Sequence, residues 1–226
     1  MKTIPVKYKN GTIEWYSMNG DLHRDNDEPA IIRADGSKLW YKHGLLHRDG
    51  DKPAVIGHDG TKQWFKYGKH HREGDKPAAI TSDSAHWWKH GLRHRDGDNP
   101  SIIILNHKKM WHKDGKRHRE GDKPAIIYEN GTKGWYKNGR EHRDGDKPAI
   151  IRADGSREWF KDGKHHREGD KPAAITSDSA HWWKHGRMHR DNGPAIIRPN
   201  GDKHWFQNGK MVSKKKKKKI ILQQIW

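Results

Sequence analysis

The chain has no cysteine in its 226 residues, which excludes disulfide frameworks and thiolate metal sites and fits a reducing compartment. It is also poor in apolar residues. They make up 30%, against roughly 45–50% in an ordinary globular domain, so a large compact core is not expected. No apolar run is long enough to span a bilayer, and Met1 to Asn10 lack the apolar centre of a secretory signal. The expectation is an intracellular, cytoplasmic protein, with nuclear or virion association as the alternatives. No segment shows the periodicity of an amphipathic helix.

Catalytic patterns are missing too. His47-Arg48-Asp49 with Lys52-Pro53 has the look of a kinase catalytic loop. A kinase, however, needs one such loop with a downstream Asn, a Gly-rich phosphate loop and a metal-binding Asp-Phe-Gly. Here the tripeptide recurs, often with Glu for Asp, and Asp-Phe-Gly is absent. The 19 histidines do not make a metal site either. Equivalent positions in successive units would stand about 10 Å apart, two strand spacings, whereas zinc needs its nitrogens at about 2.1 Å. The chain is read as a non-enzyme without cofactor, metal or small-molecule substrate.

What the sequence does contain is a beat. His-Arg occurs at His23, His47, His71, His94, His118, His142, His166 and His189, spaced 24, 24, 23, 24, 24, 24 and 23 residues apart. Each pair is followed by a Pro, and Trp keeps the same interval at Trp40, Trp64, Trp87, Trp111, Trp135, Trp159, Trp182 and Trp205. Residues 69–91 and 164–186 are identical, as a recent block duplication would leave them. Such periodicity marks a repeat array, and copying favours reach or valency over an active site. The reading is a lead-in at 1–10, an array of 23–24-residue units over 11–210, and a basic tail at 211–226.

Within a unit, Pro-Ala-Ile-Ile is followed by Asp-Gly or Asn-Gly, then Trp-aromatic-Lys, then a second Gly. Asn-Gly and Asp-Gly between apolar runs signal a tight hairpin in which both central residues take positive φ. Ser82-Asp83-Ser84, its copy Ser177-Asp178-Ser179, and Asn106-His107 replace that dipeptide, and a looser or different turn is expected there. Strands of about five residues, rich in Ile and aromatics, lie between the turns. The fold expected is all-β: an elongated, twisted antiparallel sheet of about eight tandem hairpins. The rival is a three-sided β-solenoid with Gly36, Gly44 and Gly50 at its corners. Because Trp40-Tyr41 and its equivalents are adjacent, they point to opposite faces of a strand. Two aromatic ladders result, one to be covered by the His-Arg-Asp-Gly segments and the other available for binding.

Formal net charge is +18, and Lys214 to Lys219 supply six of it. A basic balance of this kind favours acidic partners. Candidate binding residues are the arginines Arg24, Arg48, Arg72, Arg95, Arg119, Arg143, Arg167 and Arg190. The lysines Lys42, Lys66, Lys89, Lys137, Lys161 and Lys184 form a second row. The aromatics Tyr41, Phe65, Trp88, Tyr136, Phe160, Trp183 and Phe206 complete the set. The competing reading pairs each arginine with the acid beside it, Asp25, Asp49, Glu73 and so on, and stacks it on a Trp. The tail Lys214, Lys215, Lys216, Lys217, Lys218 and Lys219 is a solvated run, a nuclear-import or nucleic-acid patch, or a membrane-surface anchor.

Trp135 to Gly139 (Trp-Tyr-Lys-Asn-Gly) and Tyr128 to Thr132 (Tyr-Glu-Asn-Gly-Thr), on this beat, resemble the MORN repeat in its divergent variants over roughly residues 10–210. The resemblance implies an extended sheet of successive hairpins, with scaffolding, protein partners and acidic phospholipids as associated roles. His-Arg stands where the motif has His-Gly, and Pro-Ala where a Gly-rich strand is expected. The function expected is a repeat scaffold binding protein partners or an acidic surface, anionic lipid or nucleic acid. The alternative is sequence-tolerant nucleic-acid binding through the cation rows and aromatics.

Overall fold

Turn chemistry sets the architecture. In the computed structural model, which describes residues 2–213, every repeat makes two hairpins. In the first, Ile31–Ile32 runs antiparallel to Lys38–Leu39 around Asp35-Gly36. The N–H of Gly36 donates to the carbonyl of Arg33 at 2.9 Å, and the N–H of Arg33 to the carbonyl of Ser37 at 2.9 Å. Gly36 takes φ 85° while Asp35 does not enter positive φ, so this is a type I turn closed by a glycine bulge. In the second hairpin Tyr41–Lys42 pairs with Leu45–Leu46 around His43-Gly44, whose φ values are 50° and 75°.

The sequence pattern places the turn with two positive φ angles at Asp35-Gly36, Asp59-Gly60, Asn130-Gly131, Asp154-Gly155 and Asn200-Gly201. The structure corrects this: that turn sits at His43-Gly44, Tyr67-Gly68, Asn138-Gly139, Asp162-Gly163 and their equivalents. The physical reason is loop length. Three residues turn the first hairpin and only two the second, and a two-residue loop matches the twist of its strands only in the mirror-image form. At Ser82-Asp83 the turn is indeed of another kind. The N–H of Thr81 donates to the carbonyl of Ser84 at 2.9 Å, and Thr81 Oγ1 accepts the N–H of Ser84 at 3.0 Å.

Strand lengths also differ from expectation. Most strands are two residues long, four to a repeat, because the expected five-residue strand is broken at the Trp. The N–H of Trp40 leaves its own hairpin to donate to the carbonyl of Ala54, and its carbonyl accepts from the N–H of His47. Only the outer units keep the long form, in Ile13–Ser17 and Lys203–Gln207. The lead-in is itself a strand, Thr3–Lys7, paired with Ile13–Ser17, and the last hairpin ends with Lys210–Val212. The lysine run at 214–219 lies outside the described residues.

The chain divides into two compact units, Met1–Lys116 and Arg117–Trp226. In each, the first hairpins join into one open antiparallel sheet in chain order. In the first unit it continues from Ile31–Ile32 through Val55–Ile56 and Ala79–Ile80 to Lys108–Met110. In the second it runs from Ile126–Tyr128 to Lys203–Gln207. These pairings are all antiparallel, which overturns the solenoid rival. No helix occurs among the described residues.

The core is a thin strip. Ala30, Ala54, Ala78, Ala125, Ala149, Ala173 and Ala195 are fully buried, and the tryptophans from Trp40 to Trp182 in the same ladder are 6–8% exposed. The Ala carbonyl receives the Trp N–H of the repeat before it, as from Trp64 to Ala78 at 2.7 Å, and a larger side chain there would separate the two backbones. Each buried indole contributes at most about 4–6 kcal/mol of apolar burial. This concentration of burial in one ring per repeat lets so polar a chain fold.

Candidate site along the His-Arg columns and the hairpin faces

The His-Arg pair begins where the second hairpin ends, and its two side chains diverge as neighbours on an extended backbone must. The histidine turns inward. His47 is 6% exposed, and its Nδ1 accepts the backbone N–H of Tyr67 at 3.2 Å. The same bond recurs in all eight copies at 3.0–3.3 Å, from His43 to His23 through Asn208 to His189. Nε2 lies 2.7–3.1 Å from the carboxylate two residues on. Because a backbone amide can only donate, Nδ1 carries the lone pair and Nε2 the proton. Each of these imidazoles ties its own loop to the hairpin tip of the next repeat through Nδ1, and in six of them Nε2 is hydrogen-bonded as well.

The arginine lies over the Trp. Guanidinium carbons stand 3.7–3.9 Å from the ring centroids, as for Arg48 on Trp40, Arg72 on Trp64 and Arg167 on Trp159. One nitrogen donates to the carbonyl of the following Pro in all eight copies, at 3.1–3.3 Å. The remaining edge grips an aspartate bidentately. That aspartate belongs to the preceding repeat: Arg48 to Asp27, Arg72 to Asp51, Arg95 to Asp75, Arg143 to Asp122, Arg167 to Asp146 and Arg190 to Asp170. A lysine joins the same carboxylate, as Lys52 does at Asp27 and Lys147 at Asp122. Arg48 and then Lys52 hold the Asp27 carboxyl down to about 2, and Arg143 and then Lys147 do the same at Asp122. Arg24, in the first repeat, has Glu28 at 3.7 Å and Trp15 beneath it.

The acid beside each arginine is therefore not its partner. Asp49 takes His47 and Lys42, and Glu168 takes His166 and Lys161. The candidate lysines Lys42, Lys66, Lys89, Lys137, Lys161 and Lys184 all pair in this way at 3.1–3.6 Å. They remain 40–55% exposed, so these pairs are solvated and weak. Polar clefts of about 270–460 Å³ recur between successive loops, each lined by both signs of charge, such as Lys52, Arg72, Asp51 and Glu73. Among the described residues no three His, Asp or Glu converge on a point that could hold a metal.

The second aromatic ladder, Tyr41, Phe65, Trp88, Tyr136, Phe160, Trp183 and Phe206, is half-buried. Its rings are interleaved with side chains of the chain itself. Phe65 meets His70 at 3.9 Å and His70 stacks on Trp88 at 4.8 Å. The duplicated block repeats the column as Phe160, His165 and Trp183. His70 is tied to Gln63 and His165 to Glu158, both on the main sheet.

Two surfaces escaped the residue patterns. On the outer face of the main sheet, half-buried isoleucines alternate with exposed cations. In the second unit the cross-strand neighbours are Ile127, Lys133, Ile151, Arg157, Ile175, Ala180, Ile197 and Lys203. On the outer face of the small hairpins, each candidate lysine stands opposite the residue after the turn glycine. The pairs are Lys42 with Leu45, Lys66 with Lys69 and Lys89 with Leu92 in the first unit. In the second they are Lys137 with Arg140, Lys161 with Lys164 and Lys184 with Arg187. The signal was present as five successive cations after the turn glycine, from Lys116 through Arg140, Lys164 and Arg187 to Lys210. No protein-family model matches this chain, and no curated protein matches it either.

Proposed function

We propose that the chain is a non-enzymatic repeat scaffold that binds an acidic partner along its cationic hairpin and sheet faces. The observation that carries this is the division of labour among its cations. The arginine column spends both edges and one face of the guanidinium on Asp, Pro and Trp inside the array. The exposed lysines and arginines of the hairpins and outer sheet hold the same position from repeat to repeat. A surface that reiterates one charge at a fixed interval suits valency, and the resemblance to MORN arrays agrees with a scaffold. Single-stranded nucleic acid is less well served, because it needs aromatic faces open for stacking and the half-buried ladder is filled by its own histidines.

The test is a binding panel on the full chain: an oligoglutamate peptide, duplex RNA, and vesicles with and without anionic lipid, each titrated with salt. Binding of at least one acidic probe, weakening as salt rises, is expected. Absence of binding to all of them, or binding that salt does not affect, overturns the reading.

A further inference from the structure

Two cations directly opposite on a two-residue hairpin repel each other, and like charges in such a pair destabilise it. The second unit nevertheless makes this choice in three consecutive hairpins: Lys137 with Arg140, Lys161 with Lys164, and Lys184 with Arg187. The first unit does so in two of its four, at Lys66 with Lys69 and in the last hairpin, where Lys113 and Lys116 flank the turn; Leu45 and Leu92 hold the other two positions. A local conflict without a stabilising return is where a binding site is expected.

Within each of these pairs the lysine is answered by an acid, Asp144, Glu168 or Asp191. The other member is not. Arg140, Lys164 and Arg187 are exposed, and none makes an ion pair among the described residues; Lys210 continues their line. Their aliphatic stems lie against the turn glycine of the next repeat, Arg140 on Gly163 and Lys164 on Gly186, with Cβ about 3.5 Å from where a glycine side chain would begin. The stems thus hold the charged heads in one row, about 10 Å apart by two strand spacings. Asp162, at a hairpin tip with its carboxylate 3.2 Å from Nδ1 of His142, is the one acid among the four tips from Asn138 to Asn208.

The chemistry of the row selects its occupant. It carries no aromatic for a base to stack on and, unlike the first unit, no leucine to enter a bilayer. The flanking lysines already hold Asp144, Glu168 and Asp191, so a duplex about 20 Å wide would lie over that acidic line as well. A narrow chain would not. We infer that Arg140, Lys164, Arg187 and Lys210 dock an extended acidic polypeptide segment, rich in Asp or Glu, running along the array. This rests on the acidic-partner reading above and names the partner and the face.

The experiment measures a dye-labelled oligoglutamate of about twelve residues, long enough at about 3.4 Å per residue to follow the four cations. It uses the full chain, and again the full chain with its six tail lysines changed to serine. One variant carries Arg140→Gln, Lys164→Gln and Arg187→Gln, which keeps the stems on their glycines. A control removes the same charge from the outer sheet face of the same unit, with Lys133→Gln, Arg157→Gln and Lys203→Gln. Three exposed ion pairs, each modest, set an expected loss of about tenfold for the first variant, with a shallower salt dependence and little change in the control. Equal losses in both variants, or none in the first, overturn the assignment of the row while leaving an acidic-partner scaffold standing. Duplex RNA or anionic vesicles that depend on the row when the peptide does not overturn the choice of occupant. If no acidic probe binds the unmodified chain, the broader reading fails first.

Discussion

The backbone N–H of Tyr67 donates to Nδ1 of His47, one repeat earlier, while the same imidazole presents Nε2 to Asp49 at 2.9 Å. One buried ring thus ties three pieces of chain: the end of its own hairpin, its own loop and the tip of the next hairpin. The inter-repeat bond from the N–H of Gly68 to the carbonyl of Leu46 lies beside it.

Replacing that ring should loosen two repeats at once. His47→Ala leaves the part-buried Tyr67 amide without its acceptor, at a cost of about 1 kcal/mol, the low end of the range for an unsatisfied buried donor. The expected result is a lower urea midpoint together with faster hydrogen exchange at the Tyr67 amide. Unchanged exchange there, with a stability loss elsewhere, would show that the ring acts by packing alone.

Lysine should not replace the column arginine. Arg72 binds Asp51 through two nitrogens, the carbonyl of Pro77 through a third, and the face of Trp64 at 3.7 Å. Arg72→Lys keeps the charge but loses the fork and the stacking. A destabilisation of about 1–2 kcal/mol is expected, with a red shift of Trp64 emission as the ring meets water. A neutral substitution by both measures would mean that charge alone holds the loop.

Gly134 has ordinary backbone angles, and its requirement is for space. A Cβ there would sit 2.8 Å from Ile126 Cγ2 and 3.0 Å from the Tyr136 ring. Gly134→Ala should therefore cost about 1–3 kcal/mol by overpacking, read from thermal unfolding. Adding Tyr136→Leu, which clears the ring, should recover part of the loss; a double variant no better than the single one would place the strain elsewhere.

Acid should unfold the array in two stages. Burial holds His70, His86 and His181 below their usual 6.5, so the folded state prefers them neutral. Their contribution is complete above the unfolded value and fades as pH falls below about 6.5. Asp27 and Asp122, held at about 2, contribute fully above the unfolded value near 4 and lose it between about pH 4 and 2. Urea midpoints across pH 8 to 2 should be flat at the top, dip below 6.5 and fall again below 4. Asp122→Asn should flatten only the second step, and a midpoint rising with acid would contradict both.

Much of the fold was legible in the residues. Repetition of His-Arg, Pro and Trp implied a hairpin array, and the adjacency of Trp40 and Tyr41 implied two ladders of unequal burial. Trp40 is covered by Arg48, and Tyr41 is half-buried. The carboxylate that each arginine grips was not legible. Arg48 has Asp49 beside it in sequence and Asp27 one repeat back, and spacing along the chain favours the neighbour. On an extended segment, though, Asp49 points the same way as His47, which it joins, leaving Arg48 to the aspartate that stacking brings under it. The two turns were exchanged for a similar reason, since dipeptide identity tells little without the number of loop residues between paired strands.

The sequence by itself determined that this chain is a β-hairpin array and where its turns fall, because these follow from local propensity and a strict period; which of two adjacent rings each repeat buries was settled only by packing. Tertiary structure decided which cations are spent inside the array and which remain on its surface. That sorting depends on the fact that each repeat completes its hydrogen bonds with the one before it, so the same residue types, 20 or 21 positions apart, become partners only once the hairpins are stacked.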